Sequence, residues 1–360
     1  MLCRFRLRGD LVKQKSLRRP VHEFKSGRGP PHCSKSFALP TFEVLNMSKH
    51  ATTSAPDWFH RAVATPADSR FVSVDGCRIH YLRRGQAGKP GLCFVHGGFA
   101  HAHWWDWIAP FFTDGFTVVA LDLGGMGDSG HRTKYPLDTF AKEVAAVCAD
   151  AGLDDSPVVV GHSFGGLVAL RTGALFGARI GGVVLVDFPI RPPGYGHERG
   201  QQRQPGRKKE IYPSLDAALD RFKLLPPQPC ENAFIVDYIA RRSLAEVKGG
   251  WSWKFDPRIF EERDHGQPAD DFARLACRVA AIYGERSALF PPEIRDYMTA
   301  LLPGRAPMIA MPEAHHHLFL DQPLAFVVAL RALLAAWIRT PRARVPRARS
   351  SQQPPAKPEP

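Results

Sequence analysis

The sequence predicts an α/β fold: a mostly parallel sheet covered by helices on both faces, with a helical insertion. Three observations carry that expectation. Short apolar runs alternate with helix-length segments from residue 92 onward. One run, Pro157-Val158-Val159-Val160, ends in Gly161-His162-Ser163-Phe164-Gly165 and passes at once into a helical pattern. Residues 190–272 interrupt the alternation, which resumes at 278.

The elements follow in order. Phe71–Val74 and Cys77–Leu82 read as two strands joined at Asp75-Gly76, a dipeptide suited to a tight hairpin turn. Next come strand 92–95, a helix near 103–112, strand 117–121, helix 138–151, strand 157–161, helix 164–176 and strand 182–187. After the interruption the expected elements are strand 278–283, helix 292–302, strand 307–311 and helix 323–338. Such alternation requires parallel neighbours joined by crossover helices. Within 190–272, Leu215–Phe222 and Ile235–Ala240 carry helical periodicity, and no buried-strand run stands out.

The chain has 360 residues and a formal net charge of +13. That charge sits at the ends. Residues 1–47 hold ten Lys/Arg against three Asp/Glu, and residues 339–360 hold six against one, so the body between them is nearly neutral. Both ends are rich in Pro, Arg and Ser and read as disordered tails. The body is therefore not read as nucleic-acid binding. Met47-Ser48-Lys49 is read as a second start, with 1–46 an upstream extension. An organelle transit segment and a polybasic arm are the other readings of that stretch. No apolar run reaches the ~18 residues of a membrane span, and no secretory h-region follows the early arginines. Seven scattered cysteines without a C-x-x-C fit buried thiols in a reducing, cytoplasmic setting. The resulting organisation is a basic extension 1–57, core 58–189, cap 190–272, core 273–338 and tail 339–360. The oligomeric state is left open.

Ser163 within Gly-x-Ser-x-Gly, between strand and helix, resembles the nucleophile elbow of the α/β-hydrolase superfamily. The resemblance extends over about residues 70–338. Leu92–Val95 running into His96-Gly97-Gly98-Phe99 is similar to that family's oxyanion loop. It implies backbone donors at Phe164 and at Gly98 or Phe99. His96 is read as a brace for the loop. Asp122-Leu123-Gly124-Gly125-Met126-Gly127-Asp128-Ser129 resembles the segment after strand four, where Asp122 and Asp128 are structural. His315-His316-His317 followed by Asp321-Gln322-Pro323 resembles the approach to the last helix and implies His316 as the catalytic base. The acid departs from the common pattern. Ser287 stands where an aspartate is expected after strand seven, in Gly284-Glu285-Arg286-Ser287. Val183-Val184-Leu185-Val186-Asp187 resembles haloalkane dehalogenases, which carry the acid after strand six, and so implies Asp187, with Glu285 the alternative. The implied fold is the α/β-hydrolase fold, with an eight-stranded sheet and a helical cap after strand six.

The expected activity is hydrolysis of a carboxylic ester or related acyl bond through an acyl-serine intermediate. The expected partner is a small apolar ester, and no cofactor is expected. A C–C bond hydrolase acting on diketone-like products and a non-catalytic binding protein are the alternatives. Ser163 argues against epoxide and haloalkane chemistry, for which the superfamily uses an aspartate nucleophile. A metal is not expected, since consecutive histidines point in different directions and no His-Glu-x-x-His is present. Trp104, Trp105, Trp251 and Trp253 are candidates for the walls of a substrate pocket, with packing as the alternative. Arg203, Arg207, Lys208 and Lys209 read as a solvated basic loop.

Overall fold

The computed structural model describes residues 54–153, 156–192, 195, 209–261, 266–302 and 306–339. The basic N-terminal stretch before 54, the tail from 340, and Arg203, Arg207 and Lys208 lie outside these residues. α1 (Asp57–Val63) comes first and seats Phe59 against Trp107 and Phe234.

The core is built on one eight-stranded sheet. Its strands are β1 (Asp68–Val74), β2 (Cys77–Arg84), β3 (Gly91–Val95), β4 (Thr117–Leu121), β5 (Val158–His162), β6 (Gly182–Val186), β9 (Arg278–Gly284) and β10 (Met308–Met311). They lie in the order β1-β2-β4-β3-β5-β6-β9-β10. β1 and β2 pair antiparallel, as do β2 and β4, and every pairing beyond β4 is parallel. The β1–β2 turn has Asp75 and Gly76 both at positive φ, 46° and 77°, the geometry of a tight hairpin turn. β3, β4 and β6 are buried at every position, which is why they read as continuous apolar runs rather than alternating ones.

Helices cover both faces. α2 (Leu137–Asp150) and α3 (Phe164–Phe176) pack on one side, in the cluster that holds Phe140, Val144, Val168 and Leu170. The closing helix Pro323–Arg339 packs on the other, with Phe326 and Leu330 beside Phe94, Trp105 and Phe319.

Two expected elements differ. The stretch near 103–112 is two short 3₁₀ turns, Ala102–Trp105 and Ala109–Phe112, instead of one α-helix. Pro110 lacks the N–H that a continuous helix would need there. The insertion between β6 and β9 holds helices Leu215–Leu219 and Ala233–Arg242, but it also holds a hairpin, β7 (Leu244–Val247) with β8 (Gly250–Trp253). Trp251-Ser252-Trp253 is thus a strand, and the insertion is not purely helical. No described helix is long and apolar enough to cross a membrane.

Candidate active site

The register of the parallel strands brings the candidate residues to one edge. Val95 pairs with Gly161, His162 with Val186, and Val186 with Ile282. The chain leaves β3, β5 and β6 at neighbouring carboxyl ends, where open α/β sheets form their ligand crevice. Ser163 follows β5 directly and donates its backbone N–H to Val186 O at 2.9 Å. Asp187 follows β6 and donates to Ile282 O at 2.8 Å.

The elbow is tight. A Cβ on Gly161 would stand 2.0 Å from Gly165 O, and one on Gly165 would stand 2.4 Å from His96 O. Glycine at both positions is a steric requirement. Ser163 itself has φ 52° and ψ −119°, a conformation non-glycine residues rarely adopt. Phe99 and Asp187 also have positive φ, at 61° and 46°. Strained backbone at three residues of one crevice is the kind of feature that marks a functional site.

Asp187 is fully buried and gathers three donors. Gly284 N–H reaches Oδ1 at 2.8 Å, while the Ser287 hydroxyl and His316 Nδ1 reach Oδ2 at 2.6 and 2.7 Å. Ser287, which stands where an aspartate is expected, thus supports the candidate acid one strand over. Glu285 is exposed, and its carboxylate accepts from Glu313 N–H at 3.3 Å. The structure does not bring it to His316. With Nδ1 committed to Asp187, His316 Nε2 is the ring's free nitrogen. It is buried without a hydrogen-bond partner among the described residues.

The candidate oxyanion loop, His96–Phe99, lies against the elbow. A Cβ on Gly97 would meet Ser163 Cβ at 3.4 Å, and one on Gly98 would meet Phe164 Cβ at 3.8 Å. His96 braces this loop, donating from Nδ1 to Gly97 O at 2.7 Å and accepting Leu123 N–H on Nε2 at 3.0 Å. Burial lowers the His96 pKa, which fits a ring with an acceptor nitrogen. Asp122 fixes the same region, accepting from Ala102 N–H, Asp128 N–H and His80. Burial would raise its pKa, but the hydrogen bond and charge of His80 hold it well below the usual range.

The cap closes over this floor with aromatic rings. Phe260 is 4.8 Å from Phe99 and 5.1 Å from Phe164, centroid to centroid, and a Cβ on Gly98 would meet its Cζ at 2.9 Å. Phe255 lies 4.7 Å from Phe99. Phe255 closes the aromatic stretch Trp251–Phe255 that the sequence offers as a pocket lining, whereas Phe260 does not stand out there; the signal available was the continuation of the aromatics to residue 260. The four tryptophans divide. Trp105 is no pocket wall, because it is fully buried between Phe94 and Phe319, at 4.8 and 4.6 Å. Trp104 borders the crevice through His317, 5.3 Å away. Trp253 reaches Phe99 only through Phe255, and Trp251 is bonded through its backbone to Tyr212. A surface hollow of about 370 Å³ near the β1–β2 turn, lined by His131, Arg132 and Lys134 among others, contains none of the candidate residues.

The histidine run is held from two sides. His315 N–H donates to Asp321 at 2.7 Å, and His317 N–H donates to Gln228 of the cap at 2.7 Å. His316 and His317 do not diverge: their rings are 4.8 Å apart, and both face His162. Burial, then the neighbouring imidazoles, pushes the His162 and His317 pKa values well below the ordinary range.

Comparison with known proteins agrees with this architecture. The model of a family described as the alpha/beta hydrolase family matches residues 94–330. The dihydrolipoyllysine-residue acetyltransferase component of an acetoin cleaving system from Cupriavidus necator is 34% identical over 271 residues, 70% of each chain. Epoxide hydrolase 4 of Mus musculus is 30% identical over 123 residues, 33% of each chain, so the match spans about a third of that relative. The solved structure of esterase Rv0045c from Mycobacterium tuberculosis superposes with a TM-score of 0.58 at 22% identity, covering 77% of this chain and 95% of that one.

Proposed function

We propose, for a chain that belongs to the alpha/beta hydrolase family, that Ser163, His316 and Asp187 hydrolyse an ester or related acyl bond of a small molecule. The observation that carries the reading is the 2.7 Å bond from His316 Nδ1 to the buried, thrice-bonded Asp187, which leaves Nε2 as a buried base with nothing else to bind among the described residues. In this reading the Ser163 hydroxyl attacks the acyl carbonyl while Nε2 takes its proton, and Asp187 stabilises the imidazolium. The oxyanion forms against Phe164 N–H and a backbone N–H of Gly98 or Phe99. Collapse breaks the acyl bond, His316 returns the proton to the leaving oxygen, and water repeats the cycle on the acyl-serine.

The serine also supports acyl chemistry over epoxide opening. A serine that opened an epoxide would become an ether, which water cannot cleave under these conditions, whereas a carboxylate would give a hydrolysable ester.

A fluorophosphonate probe tests the reading. Peptide mass should place the adduct on Ser163, and Ser163→Ala should abolish both labelling and p-nitrophenyl acetate turnover. Turnover undiminished in Ser163→Ala would sink it.

A further inference from the structure

His162, His316 and His317 bring three imidazoles together where β5 and the loop after β10 meet. Ring centroids are 4.8 Å apart for 162–316, 5.2 Å for 162–317 and 4.8 Å for 316–317. One ring nitrogen from each lies within 4.8 Å of the other two. No ring is more than 3% exposed at the residue level.

Hydrogen bonding fixes two of the tautomers. His162 Nε2–H donates to His316 O at 3.1 Å, so Nδ1 carries a lone pair. His316 Nδ1–H donates to Asp187, so Nε2 carries one. Neither lone pair accepts a hydrogen bond among the described residues, nor does either nitrogen of His317 at full hydrogen-bond geometry, although the Leu225 backbone stands close enough to act on the His317 ring and His162 Nδ1 lies beside Gly97. A metal-bound histidine almost always gives its other N–H to a carbonyl or a carboxylate. Two of these three rings already do so, one to each kind of acceptor. Zinc–nitrogen bonds of about 2.0–2.1 Å in a tetrahedral array place imidazole centroids roughly 5 Å apart. The ring centroids have that spacing here, and the ring nitrogens, within 4.8 Å of one another, would turn inward to the ~3.3 Å of a tetrahedral pair as an ion binds.

We propose that His162, His316 and His317 form a three-imidazole site for a divalent transition-metal ion of the zinc type, and that an ion bound there takes His316 Nε2 out of proton transfer. Three neutral nitrogen donors suit zinc, copper or cobalt and give magnesium and calcium, which need oxygen ligands, no hold. The inhibitory half rests on the Ser163–His316 reading above; the binding half does not.

The experiment uses the full chain stripped with EDTA and then dialysed, with Zn²⁺ and Co²⁺ as probes. Equilibrium dialysis should find one tight Zn²⁺ per chain. Co²⁺ should give the intense visible bands of a four-coordinate site. His317→Ala and His162→Asn should each weaken Zn²⁺ binding tenfold or more and erase those bands, with folding checked by the unfolding midpoint. Two variants at separate places in the chain keep the test open if one fails to fold. In wild type, Zn²⁺ should block fluorophosphonate labelling of Ser163, and EDTA should restore it. Tight binding that neither variant changes, or no tight binding, overturns the site. Binding lost in both variants, in a protein whose Ser163 never labels even when metal-free, upholds the site and refutes the serine-hydrolase reading.

Discussion

Replacing Asp187 by asparagine changes one heavy atom and should nearly abolish turnover. The asparagine is isosteric, and Gly284 N–H, 2.8 Å from Oδ1, fixes which way it faces. The amide oxygen must stay on that backbone donor, so the NH₂ group turns toward Ser287 and His316. The Ser287 hydroxyl can switch from donating to accepting. His316 Nδ1, 2.7 Å away, can only meet an NH₂ by giving up its own proton. The proton then sits on Nε2, and a ring protonated there cannot accept one from Ser163. The expected loss is about 10⁴ in kcat, equivalent to roughly 5.5 kcal/mol, with KM little changed and the unfolding midpoint close to wild type. Ser287→Ala removes one donor from a buried carboxylate and should cost about tenfold, in line with ~1.5 kcal/mol for a hydrogen bond to a charge. Glu285→Gln should stay within twofold. Steady-state turnover of p-nitrophenyl acetate reads all three. Asp187→Asn within tenfold of wild type, or Glu285→Gln falling as far, would refute the assignment of the acid.

Three further outcomes are expected. Phe260→Ala should shift preference toward longer acyl chains, because the ring roofs Gly98 and Phe164. Room for two or three methylenes at about 0.8 kcal/mol each predicts roughly a thirtyfold rise in kcat/KM for hexanoyl relative to acetyl esters, and an unchanged ratio would show that Phe260 does not bound the acyl pocket. Gly161→Ala should lower the unfolding midpoint sharply or prevent soluble expression, since its Cβ would lie 2.0 Å from Gly165 O; a normal midpoint would mean the elbow is looser than described. Stability in EDTA should fall between pH 7.5 and 5.5. His101, taken down to about 3 by burial, and His96, His162 and His317, also lowered by burial, fold as neutral rings. Their contribution is complete above the unfolded pKa near 6.5 and is lost as pH falls below it. Glu143, raised by burial to about 7, works in the opposite direction and offsets part of that loss. With four neutral imidazoles against one carboxyl the net change is a loss, read as a lower denaturation midpoint; a midpoint that rises on acidification would contradict the buried neutral imidazoles.

The sheet was legible because burial on both faces writes itself as continuous apolar runs, and Pro157–Val160 or Val183–Val186 can hardly be anything else. The elbow was legible because Gly161 is forced by a contact within five residues of chain, with Gly165 O, although Gly165 itself answers to the distant His96 and Val95 backbone. The cap hairpin was less so. Its strands are four residues each, and Glu246 and Lys248 are as compatible with a helix. The short turns at 102–112 are not legible in the sequence, because Ala102, Trp104 and Trp105 owe their place to long-range contacts, with Asp122 holding Ala102 N–H and Phe319 stacking on Trp105.

The acid and the histidines show where reading one residue at a time stops working. A serine at 287 looks like a gap in a pattern until its hydroxyl is found 2.6 Å from the Asp187 carboxylate. The two positions belong to adjacent strands, β6 and β9, so the carboxylate can stand on one strand while the other supplies a donor, and His316 is served either way. The rule that consecutive side chains point apart holds for regular strands and helices. It fails at His317, whose φ of −90° and ψ of 59° belong to neither. That backbone turns the third ring back beside the second, and His162, which the elbow fixes for its own steric reasons, completes the cluster. The elbow, the base and the proposed ion site are therefore consequences of one local geometry. A change that relaxes the turn at His317 should separate metal affinity from serine reactivity, since only the first needs all three rings.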